Sequence, residues 1–297
     1  MPSVAQQYPL YFIGHAGASL LWQQSPESVQ TRANLREIGR EILDLQPRPK
    51  ALVIFSGHFV SDEIRGKEVI EVNVKPKTLI EHDFVNDFHD SYAPAYEYDW
   101  EHIDAPELAR EVYAELRDAG LDARRVERNL DHGVWVPAKV LFPPEAPLDI
   151  PIIQVSTYHG YDLALQYKLG DAAARLRSLG YLLVGSGMIV HSFWQRPAID
   201  RAPVHERDAL FAELLAESKR FDRAVQAAAI REKVEERKQA LLALEKTSEW
   251  PNAHPTVEHF TPLLIVAAAA GDARVEVLGK EAILPGQSPT NFRLTPL

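Results

Sequence analysis

The chain has 297 residues, 46% of them hydrophobic and 25% charged, which is enough for one large globular domain with a sizeable core. The formal net charge of -10 argues against a nucleic-acid partner, because phosphate binding needs a basic surface. The sequence contains no cysteine, which excludes disulfides, thiolate metal sites and a cysteine nucleophile.

Strand-like and helical patterns alternate along the chain. The predicted strands are Leu10–Ile13, Ala51–Phe55, Val69–Val74, Ile152–Ser156 and Tyr181–Val184. The predicted helices are Ser28–Leu45, Ala105–Ala119, Asp162–Leu179, Val204–Arg220, Arg223–Leu244 and Thr256–Ala270. The alternation and the short connections predict an α/β fold: a single domain, residues 1–297, with a mostly parallel central sheet flanked by helices.

The sequence shows no signal peptide at its start and no membrane-spanning apolar run. The first residues lack the basic and apolar regions of a signal peptide, and no apolar run is long enough to span a bilayer. We therefore expect a cytoplasmic protein without a membrane partner. The segment Lys77–Trp100 is irregular and rich in aromatic residues, so it is either the wall of a pocket for a flat substrate or an aromatic-packed surface loop.

Three histidines, His15, His58 and His191, each follow an apolar, strand-like run. Glycine directly precedes the first two, and the run into His191 contains Gly185 and Gly187. The carboxyl ends of strands line the ligand crevice of open α/β sheets, so these side chains can converge there. Neutral imidazole is both a common metal ligand and a base. The pattern indicates a metal site or a histidine-rich catalytic site, although each histidine alone is also compatible with a structural role.

Two further histidines lie in distinctive contexts. Gly133 and Trp135 follow His132, which predicts a tight turn with either a structural or a functional histidine. Thr256 is the expected N-cap of the last predicted helix, which puts Glu258 and His259 in its first turn. Consecutive helical residues point about 100° apart, so only one of the two is expected to face a metal. Glu258 is equally able to complement the helix dipole.

Several familiar catalytic motifs are absent from the sequence, namely the zincin helix, the Gly-x-Ser-x-Gly elbow, the P-loop and the dinucleotide fingerprint. Five short motifs are present in a fixed order: Gly14-His15, Ser56-Gly57-His58, Asp131-His132-Gly133-x-Trp135, Gly185-Ser186-Gly187-x-x-x-His191 and Pro255-Thr256-x-Glu258-His259-x-x-Pro262-Leu263. Together they resemble the class III (LigB-type) extradiol ring-cleavage dioxygenases, in particular the 4,5-DOPA extradiol dioxygenase branch.

The resemblance implies one LigB-type catalytic domain that opens the ring of a catechol-type aromatic diol with O2. By motif, His15, His58 and His259 would bind a mononuclear non-haem Fe(II), which zinc often replaces in purified members. His191 would be the acid/base residue, and His132 a second catalytic residue in the pocket. The wider family uses two histidines and one carboxylate, so Glu258 stays an alternative third ligand.

The first motif departs from the Gly-His-Gly-Ser-Pro that relatives commonly carry, because this chain has Ala16-Gly17-Ala18 after His15. We therefore expect the contacts to substrate near Ala16–Ser19 to differ. The scaffold also resembles Memo-type proteins, which act chiefly in binding or signalling, and a zinc hydrolase using a metal-bound water is a third alternative. The full set of candidate ligands together with His191 favours an enzyme, and imidazole suits both iron and zinc.

Overall fold

Eight strands form one sheet through the centre of the protein. The structure is a computed structural model that describes residues 8–64, 67–82, 93–160, 162–193 and 195–297. In spatial order they are β10 (Ala273–Leu278), β12 (Asn291–Pro296), β1 (Leu10–Gly14), β8 (Leu182–Gly187), β2 (Leu52–Val60), β7 (Ile152–Thr157), β5 (Ile70–Asn73) and β6 (Ala123–Val126). Strands β1, β8, β2 and β7 run parallel, whereas β12 is antiparallel to β1 and β10, and β5 is antiparallel to β7.

Two short ladders lie outside this sheet, one between β3 (Glu63–Ile64) and β4 (Lys67–Glu68), the other between β9 (Val190–His191) and β11 (Gln287–Ser288). The helices are α1 (Pro26–Leu43), α2 (Pro106–Asp118), α3 (His132–Leu141), α4 (Leu163–Ser178), α5 (Arg196–Arg201), α6 (Val204–Ala229), α7 (Val234–Ala243), α8 (Trp250–Ala253) and α9 (Thr261–Ala269). Single 3₁₀ turns form at Ala18–Leu21, Ala93–Glu97 and Leu244–Lys246. The predicted α/β fold with a mostly parallel central sheet is confirmed.

The sheet is buried on both faces, which explains why its central strands are continuous apolar runs. Successive residues of β1 point to opposite faces, as the two-residue repeat of a strand requires. Leu10 and Phe12 belong to the core that contains α4 and α9, and Tyr11 and Ile13 belong to the core that contains α1 and α3. The strand-end histidines therefore extend from a sheet that is held firmly on both sides.

Helix α9 is buried along its whole length and carries no charged residue. Two buried arginines donate hydrogen bonds to its carboxyl end. Arg237 donates to the carbonyl oxygens of Ala267 and Gly271, and Arg177 donates to that of Ala269 at 2.7 Å. These guanidinium groups complete the last-turn carbonyls and favour the negative end of the helix dipole. They fix the helix whose amino end follows His259.

Two predicted helix boundaries are wrong. The division between Val204–Arg220 and Arg223–Leu244 falls later than predicted, because α6 continues to Ala229 with Phe221 and Val225 on its buried face, and α7 begins at Val234. The last helix starts at Thr261 and not at Thr256, since the residues before it form turns and Pro262 occupies its first turn. Glu258 and His259 therefore precede the helix.

Several elements escaped prediction, among them three strands of the central sheet and one helix next to the histidines. Strands β6, β10 and β12 lie at or next to the sheet edges, where polar residues interrupt the apolar pattern that marks a central strand. Helix α3 begins at His132 and contains Pro137. In the sequence, Gly133 made this segment resemble a tight turn. Within the described ranges, every helix is too short or too polar to cross a lipid bilayer.

Candidate metal centre

Five histidines from separate segments meet beyond the carboxyl ends of the parallel strands. The ring centroids of His15 and His58 are 5.1 Å apart, and those of His58 and His259 are 4.7 Å apart. The His15 and His259 rings are separated by 5.2 Å. One nitrogen atom from each of these three residues lies within 4.8 Å of the other two. The arrangement is compact enough for all three to reach a single cation.

His15 follows β1 as predicted, but His58 lies inside β2 and not at its end. The pairing of β2 with β8 stops at Ser56, and its register with β7 shifts between Phe55 and Val60. The ladder is therefore irregular where His58 occurs. An irregular ladder lets a strand re-aim a side chain, which is how a residue within β2 reaches the site.

Burial keeps the imidazoles of His58, His191 and His259 in their neutral form. It lowers the pKa of His58 and of His259 well below the usual value of 6.5, and the neighbouring histidines lower both further. The same causes lower the pKa of His191 to about 3. Only a neutral imidazole offers a lone pair to a metal or accepts a proton, so these three rings are available for either task at neutral pH.

The two nitrogen atoms of His259 face different partners. Its Nε2 lies 3.1 Å from Nε2 of His58, and its Nδ1 lies 3.2 Å from Oε1 of Glu258. The same Glu258 oxygen accepts a hydrogen bond from Thr256 Oγ1 at 2.6 Å. Glu258 is thus on the far side of the His259 ring from His58. A second compact group of potential ligands, formed by His191, Glu258 and His259, shares His259 with the first.

Gly187 explains how the His259 turn reaches the sheet. A Cβ atom at Gly187 would lie 2.2 Å from the carbonyl oxygen of His259, so only glycine permits this approach. The same oxygen accepts a hydrogen bond from the Met188 amide at 2.9 Å. The glycines before His191 therefore accommodate protein backbone, in addition to any role toward a ligand.

His191 lies in β9, beyond a break after β8, and its ring stacks on His259 with centroids 3.5 Å apart and planes 8° apart. Its strand pairs with β11, where Gln287 is opposite His191. Ser288 of β11 donates to the buried carboxylate of Asp222 at 2.7 Å. Asp222 on α6 thus anchors the strand that holds His191, a role that the sequence pattern does not signal.

His132 is the first residue of α3 and does not lie in a tight turn. Its ring centroid lies 3.7 Å from that of His58 and 6.0 Å from that of His15. His132 and His191 therefore flank the three-histidine group on different sides, one against His58 and the other against His259. The structure thus brings together all five histidines singled out by the sequence.

The segment after His15 has an unusual backbone. Ala16 has a φ of 52°, a left-handed conformation that favours glycine, and its carbonyl oxygen lies 2.6 Å from His15 Nδ1. This is the position at which the chain departs from Gly-His-Gly-Ser-Pro. The adjacent cleft, which Ser19, Gln23 and Gln287 help to line, has only uncharged lining residues.

The aromatic segment Lys77–Trp100 is described only in part, because residues 83–92 lie outside the described residues. His82 stacks on Tyr96, with centroids 5.1 Å apart, and meets the edge of Trp135 at 5.7 Å. Nothing in these contacts tests whether the segment walls a substrate pocket, which stays a prediction.

Comparison with known proteins gives consistent matches over nearly the whole chain. The family model of the catalytic LigB subunit of aromatic ring-opening dioxygenase matches residues 9–294. A 4,5-DOPA dioxygenase extradiol of Beta vulgaris is 30% identical over 88% of this chain and 87% of its own length. A 4,5-DOPA dioxygenase extradiol-like protein of Schizosaccharomyces pombe is 28% identical over 94% and 90%, respectively.

Among solved structures, an uncharacterized protein from Escherichia coli K12 superimposes with a TM-score of 0.61 at 19% identity. The match covers 97% of this chain and 99% of that protein. At this identity the likeness concerns the fold alone.

Proposed function

Since the chain belongs to the LigB family of aromatic ring-opening dioxygenases, we propose that it is an Fe(II)-dependent extradiol dioxygenase that opens the ring of a catechol-type substrate with O2. The observation that carries the proposal is the group of three imidazoles from His15, His58 and His259, with His191 stacked beside it. The family match over residues 9–294 supports one catalytic domain that comprises the whole chain, residues 1–297.

The donor set fits a divalent metal. Two nitrogen ligands about 2.0–2.1 Å from one ion, at angles between octahedral and tetrahedral, lie about 2.8–3.4 Å apart. The 3.1 Å between Nε2 of His58 and Nε2 of His259 falls in this interval. Imidazole suits both iron and zinc, so the proposal of iron draws on the redox chemistry that ring opening needs and not on the ligands.

We assign the third ligand to His259 and not to Glu258. The Nε2 atom of His259 faces His58, and its Nδ1 faces the Glu258 carboxylate. A carboxylate in this position fixes the tautomer and the orientation of a metal-binding histidine and raises its basicity. Glu258 therefore acts through His259, and Thr256 in turn holds the carboxylate.

The iron, when bound, supplies the redox chemistry of ring opening, and the protein residues manage the protons. His191 is neutral because burial lowers its pKa to about 3, so its ring is able to accept a proton from a catechol hydroxyl. The negative charge of the resulting catecholate raises the pKa of the neighbouring imidazole, which allows His191 to retain this proton and return it later. His132, next to His58, is the second histidine available for a hydrogen bond to the substrate.

The decisive experiment loads the protein with Fe(II) under anaerobic conditions and then supplies O2 with a panel of catechols. The panel includes bulky and carboxylated rings, because Ala16 and its neighbours differ from the common first motif. We expect oxygen consumption together with a yellow, conjugated semialdehyde-type product. The variant His205→Ala removes an exposed histidine whose side chain is 81% accessible, and it serves as the control for each histidine substitution in the centre.

Other results would overturn this function in distinct ways. A site that takes only zinc and hydrolyses a substrate would favour a metal-dependent hydrolase. A protein that binds no metal, or consumes no oxygen with any catechol while loaded with iron, would favour a Memo-like binding role.

A further inference from the structure

A buried polar network adjoins His58 and His132. The Asp131 side chain is inaccessible to solvent, and its carboxylate accepts one hydrogen bond from Ser56 Oγ at 2.8 Å and another from Gln154 Nε2. Ser56 belongs to β2, Gln154 belongs to β7, and Asp131 directly precedes α3. One carboxylate thus joins three elements at the edge of the histidine cluster.

Asp131 occupies the N-cap position of α3 but does not act as a cap. An aspartate in this position usually accepts a hydrogen bond from a backbone amide in the first turn of its helix. The Asp131 side chain makes no capping hydrogen bond to the first turn of α3. The carboxylate is directed to the two strands instead. A residue that gives up about 1 kcal/mol of capping energy needs another role to account for its orientation.

Ser56 transmits the position of Asp131 to His58. Its hydroxyl donates to the carboxylate, and its oxygen accepts a hydrogen bond from the backbone amide of His58 at 3.1 Å. Because the hydroxyl hydrogen is committed to Asp131, the lone pairs of Ser56 are directed elsewhere and one of them faces His58. Hydrogen bonds in such a chain polarise one another. The carboxylate thereby fixes the backbone of a candidate metal ligand.

Gly133 lets α3 begin directly against this network. A Cβ atom at Gly133 would lie 2.5 Å from Ser56 Oγ and 3.0 Å from His58 Cδ2. The carbonyl oxygen of Gly133 also accepts a hydrogen bond from the Ser186 hydroxyl of β8. The start of α3, and with it His132, is held in atomic contact with β2. This contact accounts for the 3.7 Å between the rings of His58 and His132.

We propose that Asp131 is a positioning residue of the active site, which fixes His58 and His132 relative to each other. It acts on His58 through Ser56 and on His132 through the start of α3. The proposal rests on the proposed function insofar as it takes His58 to be a metal ligand. Substitution of groups that orient a metal ligand typically lowers metal affinity by about 10–100-fold.

The test compares two buried serines on adjacent strands. Ser56→Ala removes the link between Asp131 and His58. Ser156→Ala removes an equally buried hydroxyl on β7 that accepts one backbone hydrogen bond, from Glu71 at 2.9 Å, and has no bond to the cluster. We expect Zn(II) affinity, measured by competition with a chromogenic chelator, to fall about 10–100-fold in Ser56→Ala and to stay unchanged in Ser156→Ala.

Two substitutions of Asp131 separate its position from a general contribution to stability. In Asp131→Asn, Ser56 still has a carbonyl oxygen to donate to, and Gln154 can rotate its amide to accept from the new NH2 group. We expect this variant to keep most of the metal affinity. Asp131→Ala removes both acceptors, and we expect it to lose affinity as Ser56→Ala does. Urea unfolding of each variant shows whether metal affinity and stability change together.

The proposal is overturned if Ser56→Ala and Asp131→Ala bind Zn(II) as tightly as Ser156→Ala does. Should Asp131→Ala fail to fold, Ser56→Ala alone decides. A wild-type protein that binds no metal would refute the proposed function instead. In that case, crystal structures of Ser56→Ala and Ser156→Ala decide: His58 displaced from His132 only in Ser56→Ala supports the proposal, and an unmoved His58 overturns it.

Discussion

Acid should destabilise this protein in part through His254, a histidine that is not in the three-residue metal group. His254 is buried between Phe221, Trp250 and Phe260, with ring centroids 5.7, 5.1 and 5.1 Å away. Its Nε2 donates to the carbonyl oxygen of Ile189 at 2.8 Å. Burial lowers the pKa of His254 to about 4, against the smaller raising effect of the hydrogen bond to Ile189.

The sign of the effect follows from proton binding. The unfolded chain takes up a proton at His254 near pH 6.5, whereas the folded protein does so only near pH 4. Between these values the unfolded state binds more protons, so the free energy of unfolding decreases as the pH falls through this window. At about 1.4 kcal/mol for each pH unit, the full loss is about 3 kcal/mol, and about 2 kcal/mol of it has occurred at pH 5.

The measurement is urea unfolding of the metal-free protein at pH 7 and pH 5, with a chelator present. His254→Gln keeps an amide donor for Ile189 but has no titrating group. We expect the wild type to lose about 2 kcal/mol more than His254→Gln between the two pH values. The control His205→Gln, at an exposed position, should lose as much as the wild type. Equal losses in the wild type and His254→Gln would refute the assignment of acid sensitivity to this buried ring.

Three further predictions concern the histidine cluster. The proposed metal ligands are His15, His58 and His259. Alanine substitution of each should strongly reduce the metal content measured by elemental analysis while the protein stays folded. Full metal retention in all three variants would contradict the site. His191→Ala should keep most of the metal and lower kcat by roughly 10²–10⁴-fold, as loss of a general acid–base group does, and unchanged turnover would remove His191 from the mechanism. Glu258→Ala should weaken metal binding by about 10–100-fold if the carboxylate only orients His259. A loss as complete as that of His259→Ala would instead make Glu258 a ligand.

The sequence by itself determined the fold class and the identity of the clustered residues. A run such as Ala51–Phe55 is continuously apolar because its strand is buried on both faces, and this pattern is visible without coordinates. The order of the short motifs likewise selected His15, His58, His132, His191 and His259. The apolar run and each motif are local signals, because each depends on residues that are close together in the chain, and the order of the motifs needs only the linear sequence.

Only the tertiary structure decided how these residues are held. The start of the last helix at Thr261, the stacking of His191 on His259 and the turn of Asp131 away from its own helix follow from contacts between distant segments. Ser56 and Asp131 are 75 residues apart in the chain, and His58 and His259 are 201 apart. These contacts form because the sheet brings the strand ends together and glycine lets a neighbouring backbone come close. A local sequence pattern carries no information on such an approach, because the energy that favours it comes from burying groups of several elements at once.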